Sequence, residues 1–241
     1  MFLLVILTLL FITGLASPLF PTSPGSRHAL PEAAPRDALR YQPVLDYDMD
    51  SCYNVPAIDA QGNVNKGLGH SGTTVAKYCR DAEDLDDQNV YEHYFEKDIA
   101  VSYVDCCGHR HEWENIVVFV QDGQRNASFV SASTHQTYIR RNASEVRFQG
   151  SHPKIVYHKD GISTHCFRFA VEKDDNVENH KHVWVRGALV DWNGYPSTML
   201  RDTMISAFDE NRPKIDNELF GGALKNAVGN MIPDFDPYAE G

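Results

Sequence analysis

Positive charge is scarce in this 241-residue sequence: 22 Lys and Arg stand against 33 Asp and Glu, giving a formal net charge of −11. Such a balance excludes the usual electrostatic attraction to nucleic-acid phosphates and to anionic bilayers. Any membrane partner must therefore be recognised through something other than a basic patch.

Long apolar runs are also missing beyond the first residues. Residues 2–12 form an apolar run broken only by Thr8, followed by Gly14-Leu15-Ala16. This run is too short for a membrane span and indicates a signal peptide over residues 1–16. Residues 17–40, rich in Pro, Ala and Ser without apolar periodicity, predict a linker or pro-segment. We expect residues 41–241 to form one secreted, extracellular domain.

Motifs of common hydrolases are absent. No Gly-x-Ser-x-Gly occurs, and His111-Glu112 fails to complete His-Glu-x-x-His because residue 115 is Asn. A metal-assisted hydrolase with Glu112 or Glu114 as base is the alternative, but no separate nucleophile accompanies them. We therefore expect no enzymatic activity.

The most distinctive stretch is Gly-His-Arg-His-Glu-Trp-Glu at residues 108–114, which precedes a β-branched and aromatic run at 116–120. This run predicts a strand, in which alternate side chains share a face. Arg110, Glu112 and Glu114 are then expected on one face, with His111 and Trp113 on the other.

Two carboxylates on one face repel each other unless a proton, an Arg or a cation lies between them. One interpretation is a solvated strand end in which Arg110 bridges Glu112 and Glu114. The other is a cation site to which His109 turns its ring after the flexible Gly108. Such an oxygen-rich site suits Mg²⁺ or Ca²⁺ better than Zn²⁺.

The rest of the chain predicts a mainly β protein. Short β-rich segments at spacings typical of a sandwich occur at residues 89–95, 100–104, 128–132, 146–148, 154–158, 165–171 and 183–190. Asp98 is expected in a loop between the first two. Helical spacing of Leu200, Met204 and Phe208 predicts one flanking helix, and a second is expected to begin near Asn217.

Five cysteines in a secreted chain should pair and leave one over. Adjacent cysteines rarely bond each other, so Cys166 is expected to pair with Cys106 or Cys107, with three free thiols as the alternative. Asn126 and Asn142 open Asn-Ala-Ser sequons and predict glycosylated surface loops.

Residues 108–114 resemble Gly-His-Arg-His-Asp-Trp-Glu of the necrosis- and ethylene-inducing-peptide-like proteins, secreted cytolysins of plant-associated microbes. Further segments that resemble this family lie at residues 46–54, 78–81, 91–98 and 192–196. The similarity covers roughly residues 41–230.

The resemblance implies a β-sandwich with flanking α-helices, akin to actinoporins and fungal lectins. It implies a monomer that binds a divalent cation and sphingolipid head groups of plant plasma membranes, and that lyses them. It also implies a Cys52–Cys79 disulfide, which would close a turn-rich loop and stabilise the fold by about 3 kcal/mol. The implied cation ligands are Asp98, His109, Glu112 and Glu114, supported by Arg110, His111 and Trp113.

Three residues depart from the family pattern. Glu112 replaces Asp, and its extra methylene is expected to push the carboxylate roughly an ångström outward, which favours Ca²⁺ over the geometrically stricter Mg²⁺. His93 and Glu96 replace Trp and Pro. A non-toxic, lectin-like or surface-binding member of the same fold is therefore the alternative function.

Overall fold

The computed structural model describes residues 29–70, 75–85, 89–90, 92–101, 108–208, 211–215 and 219–238. The strands are β1 (Val44–Tyr47), β2 (Asn89–Val90), β3 (His93–Asp98), β4 (His109–Glu114), β5 (Ile116–Val120), β6 (Ala127–Thr134), β7 (Thr137–Asn142), β8 (Phe148–Gln149), β9 (His152–Lys159), β10 (His165–Phe169) and β11 (Ala188–Leu189). The helices are α1 (Arg36–Tyr41), α2 (Thr198–Ser206) and α3 (Phe220–Val228).

Two sheets face each other across the main core. In one, β9 pairs with parallel β1 and with antiparallel β10 and β8. In the other, β5, β6 and β7 form an antiparallel meander. Apolar side chains of β1, β9 and β10 pack in one buried cluster with Val130 and Ala132 of β6. The predicted mainly β, sandwich-like fold with flanking helices is confirmed.

The antiparallel pair β3–β4 lies between this core and helix α2. Phe95 of β3 points into the main core and stacks on Tyr157, with ring centroids 3.7 Å apart. Its neighbour Tyr94 points the other way and packs with Trp113 and Phe208. Strand β3 therefore contacts an apolar cluster on each face, and β4 is positioned by pairing with it.

Several predicted boundaries differ from the structure. Strands β1 and β7 were not predicted, because β1 has only four residues and β7 carries exposed polar side chains. The segment 183–190 contributes only the two residues of β11. Both flanking helices are present, and α3 begins at Phe220.

Asp98 was expected in a loop, but it is the last residue of β3 and pairs with His109 of β4. The heptapeptide forms its own strand rather than the entrance of the 116–120 strand, because Asn115 separates β4 from β5. Residues 100 and 101 lie in a bend, and the remainder of the predicted 100–104 strand lies outside the described residues.

Residues 29–40, which were predicted to belong to a linker or pro-segment, pack on the domain. Leu30 is 1% exposed within the second apolar cluster, and the Ala33 amide donates to the Leu189 carbonyl at 2.9 Å. The burial of Leu30 and the strand-like hydrogen bond of Ala33 therefore fix residues for which the composition predicted no regular structure. The predicted signal peptide lies outside the described residues.

The cysteine predictions have two outcomes. Cys52 and Cys79 are joined, as expected. Cys166 is a free, buried thiol, so its expected bond with Cys106 or Cys107 is wrong; the latter two lie outside the described residues. Cys166 instead accepts a hydrogen bond from the Thr134 hydroxyl at 3.2 Å.

Asn126 and Asn142 are both exposed, as sequon residues must be. Asn126 lies in the turn between β5 and β6, and Asn142 ends β7. Glycosylation of either remains a prediction. Among the described residues, no helix has the length and apolar character needed to cross a bilayer.

Candidate functional site

Donor atoms of three predicted ligands meet where β3 ends and β4 begins. One ligand atom each from Asp98, His109 and Glu112 lies within 4.8 Å of the others. Gly108 makes this approach possible, because a Cβ there would lie 2.6 Å from the Asp98 carbonyl oxygen. Sequence reasoning thus identified three residues that the fold does bring together.

The backbone at His111 explains how His109 and Glu112 share a face. His111 has φ of 64°, in the left-handed region that residues with a Cβ rarely adopt. This conformation interrupts the strand alternation, so two residues three positions apart point the same way. His109 Nε2 lies 2.9 Å from Glu112 Oε2.

Arg110 therefore does not take the bridging position that strict alternation predicted. Its side chain is exposed, and its guanidinium donates to the Lys66 carbonyl at 3.3 Å. The imidazole of His109 provides the cationic partner of Glu112 instead.

Glu112 is not pushed outward by its extra methylene. Its side chain is 17% exposed and folds back on its own strand, where Oε1 accepts the Trp113 amide hydrogen at 2.9 Å. Folding back absorbs the added length and leaves Oε2 facing His109. The expected outward displacement is therefore wrong.

The tautomer of His109 follows from the hydrogen bond made by its other ring nitrogen, Nδ1. His109 Nδ1 lies 3.0 Å from the His111 carbonyl oxygen and donates to it. A proton or a cation must then lie between Nε2 and Glu112 Oε2, since the lone pair of Nε2 would otherwise face the carboxylate. The hydrogen bond to Glu112 raises the pKa of His109 to about 9, whereas burial raises the pKa of Glu112.

Glu114, the fourth predicted ligand, is buried next to this group but engaged elsewhere. Its carboxylate accepts a hydrogen bond from the Ser133 hydroxyl, and that hydroxyl oxygen accepts the Asn115 amide hydrogen at 2.8 Å. Burial, and after it the neighbouring Glu112, raises the pKa of Glu114 well above its ordinary value. Its role as a ligand remains a prediction.

His165 is a site residue that sequence reasoning missed. Its backbone amide lies 3.0 and 3.1 Å from the two Asp98 carboxylate oxygens, and its Nδ1 lies 2.9 Å from Asp98 Oδ1. These contacts fix the orientation of a buried carboxylate. Burial lowers the pKa of His165, but hydrogen bonds to Asp50 and Asp98 outweigh this and raise it. No local motif marks a residue 67 positions away.

The supporting residues His111 and Trp113 anchor β4 from the opposite face. His111 Nδ1 is 2.6 Å from the Tyr94 hydroxyl, and its ring meets the edge of Phe208 at 5.1 Å. Trp113 is 8% exposed and packs on Tyr94 and Phe208. Both side chains therefore pack on the aromatic cluster that supports β4, and Trp113 also lines the cavity beside the site.

A cavity of about 1000 Å³ opens beside the site. Its lining includes His109, Glu112 and Glu114 together with Asn211, Arg212 and Lys214. Asn211 lies against β4, where its Nδ2 donates to the His111 carbonyl at 3.1 Å. A polar ligand could therefore reach the carboxylates while hydrogen-bonding to other polar side chains of the lining.

Known proteins resemble this chain in sequence. NLP effector protein 10 of Phytophthora capsici is 32% identical over 147 residues, which cover 54% of this chain and 61% of that protein. The chain thus matches about six-tenths of the length of that curated relative.

Solved structures extend the fold likeness over most of the chain. The structure of NLPPya in complex with glucosamine is 25% identical with a TM-score of 0.65, covering 84% of this chain and 96% of that one. Crystalline HaNLP3, a non-toxic protein, is 22% identical with a TM-score of 0.63, covering 84% and 97%. The latter likeness shows the fold alone.

The family model described as "Necrosis inducing protein (NPP1)" matches residues 35–227, which include both sheets, the β3–β4 pair and most of helix α3. This match spans most of the chain and contains all four predicted ligands. The chain therefore belongs to the necrosis-inducing protein (NPP1) family.

Proposed function

We propose that this chain is a secreted cytolysin that holds a divalent cation at Asp98, His109 and Glu112 and uses it to bind sphingolipid head groups of plant plasma membranes. The observation that carries the proposal is the 2.9 Å approach of His109 Nε2 to Glu112 Oε2, with Asp98 beside them. Family membership supports the necrosis-inducing part of this function.

The residues fit a hard cation. Two carboxylates and one imidazole form a donor set that suits Mg²⁺ or Ca²⁺. The Asp98 carboxylate is held by His165, and His109 is oriented by its Nδ1 contact with the His111 carbonyl. A cation between His109 and Glu112 would replace the proton that this geometry otherwise requires. Glu114 is a further candidate ligand if it leaves Ser133.

The cavity beside the site supports a sugar-bearing ligand. Vicinal hydroxyls of a sugar supply neutral oxygen ligands to Mg²⁺ or Ca²⁺, and Asn211 and Arg212 in the cavity lining are polar side chains that can hydrogen-bond to a sugar. The relative NLPPya has been crystallised with glucosamine. A protein with a net charge of −11 has little electrostatic attraction to a membrane, so a shared cation would supply the missing attraction.

Lysis is a separate step from binding, and the fold alone does not decide it, since HaNLP3 with this fold is non-toxic. The alternative function is therefore a non-lytic binder of the same head groups. Cation-dependent binding without leakage would favour this alternative. The family is described by necrosis induction, and we do not propose a catalytic role for Glu112 or Glu114.

The test is dye release from vesicles made of plant plasma-membrane lipids, with Mg²⁺ or Ca²⁺ added or chelated. We expect leakage only with the cation, and strong loss in Glu112→Gln, which keeps the side-chain shape but removes the charge. Glu172→Gln, an exposed carboxylate in a 3₁₀ turn, is the matched control and should leak like the parent chain. Equal leakage with chelator, or from phosphatidylcholine vesicles, would refute the proposal.

A further inference from the structure

A second group of metal-binding side chains lies outside the site described above. Ligand atoms of His135, Asp160 and Cys166 all lie within 4.8 Å of one another. His135 is in the β6–β7 turn, Asp160 follows β9, and Cys166 is on β10. We propose that these three residues form a second metal site, selective for a borderline-soft transition ion of the Zn²⁺ class.

The histidine is oriented for this role. His135 Nε2 lies 3.3 Å from Asp160 Oδ2, and the Thr164 hydroxyl lies 3.4 Å from the other ring nitrogen, Nδ1. Holding Nδ1 in this way directs Nε2 towards the carboxylate and the thiol. Ligand atoms around a tetrahedral Zn²⁺ lie about 3.3–3.8 Å apart, given its bond lengths, so only a small closure is needed. His135 and Asp160 can make it because both lie in turns.

The sulfur also has an ordered environment. The Thr134 hydroxyl donates to Cys166 Sγ at 3.2 Å, a contact that persists and strengthens when the acceptor is a thiolate. His158 is the cross-strand neighbour of Cys166, with Nε2 3.8 Å from Sγ.

The donor types separate this group from the Asp98 site. Thiolate with imidazole and carboxylate favours Zn²⁺ and its neighbours, whereas Mg²⁺ and Ca²⁺ prefer oxygen. On binding, the S–H proton of Cys166 passes to solvent as the metal–sulfur bond forms, and no redox step occurs. The thiolate and the Asp160 carboxylate then balance the charge of the ion. The two sites share no ligand.

Cobalt titration of the tag-free, disulfide-intact protein tests the proposal, with excess Mg²⁺ present. Coordination of Co²⁺ by Cys166 should produce a thiolate-to-cobalt charge-transfer band in the near ultraviolet, saturating at one equivalent and removed by Zn²⁺. The band should vanish in Cys166→Ser and persist in Glu112→Gln. Thr134→Val should weaken binding by about 10–100-fold.

Two exposed ligands provide variants that leave the core intact. Asp160→Asn and His135→Gln should each weaken Co²⁺ binding at least tenfold, whereas Asp122→Asn, a turn carboxylate far from the group, should not. Absence of the band, its persistence in Cys166→Ser, or unchanged affinity in both Asp160→Asn and His135→Gln would overturn the proposal. Persistence in Cys166→Ser would assign the thiol ligand to another cysteine.

Discussion

Cation binding at the Asp98 site should depend on pH through His109. The pKa of His109 is raised to about 9 by the hydrogen bond to Glu112. At pH 7 the ring is therefore almost entirely protonated, and a cation that takes Nε2 must first displace that proton. Because the folded pKa lies above pH 7, affinity should rise with pH and level off only above pH 9.

The size of the effect follows from the neutral fraction of His109. With a pKa of about 9, this fraction is about 1% at pH 7 and about 24% at pH 8.5. Mg²⁺ or Ca²⁺ affinity should therefore increase about 25-fold over this interval from His109 alone. Calorimetry in two buffers of different ionisation enthalpy at pH 7 should also show about one released proton that depends on His109.

His109→Asn is the matched variant, because it removes the titrating ring and keeps a polar side chain. Its affinity should be lower and should lack the one-proton dependence that His109 contributes. Any remaining dependence of the metal affinity on pH belongs to Glu112 or Glu114, whose pKa values are also raised. The same proton release in the parent chain and in His109→Asn would refute the assignment of His109 as a ligand.

The remaining predictions concern Glu112, His93 and the disulfide. Glu112→Asp cannot both accept the Trp113 amide and reach His109 as Glu112 does, so calorimetry should show weaker binding of both Mg²⁺ and Ca²⁺; unchanged affinities would show that these two contacts do not position a ligand. Burial lowers the pKa of His93 to about 3, below its unfolded value of 6.5, so the unfolded state binds more protons in acid and stability falls below pH 6.5. The loss of stability between pH 7.5 and pH 5, measured by urea unfolding, should be about 2 kcal/mol smaller in His93→Phe than in the parent chain, and equal losses would refute this assignment. Replacing Cys52 and Cys79 by Ala opens a loop with a sequence separation of 27 and should cost about 3.5 kcal/mol, seen as a melting temperature lower by roughly 10 °C; unchanged melting would contradict the loop argument.

Much of the candidate site was predictable because two of its three candidate ligands, His109 and Glu112, lie on one short strand. The heptapeptide brought His109 and Glu112 together by proximity alone, and the resemblance added Asp98. The left-handed conformation of His111 was not predictable, because histidine has no strong preference for it and the packing of its ring against Tyr94 and Phe208 holds it there. This one dihedral angle determines that His109, and not Arg110, faces Glu112.

The fold was predictable to the extent that burial follows sequence periodicity. Strands β6, β9 and β10 are rich in β-branched or aromatic residues and were predicted near their true positions. Strand β7 was missed because its residues are half polar and its place is set by pairing with β6. His165 and Leu30 were missed for a related reason, since both act through contacts with distant segments.

The left-handed conformation of His111 in β4 also determines how the heptapeptide behaves when it is removed from the protein. A synthetic peptide of residues 108–114 would relax to an ordinary extended chain, with the His109 and Glu112 side chains pointing apart. It would also lack Asp98 and the aromatic rings that hold His111. The proposed cation binding therefore requires the folded domain, and grafting these seven residues onto another strand should transfer the sequence without the arrangement of the side chains.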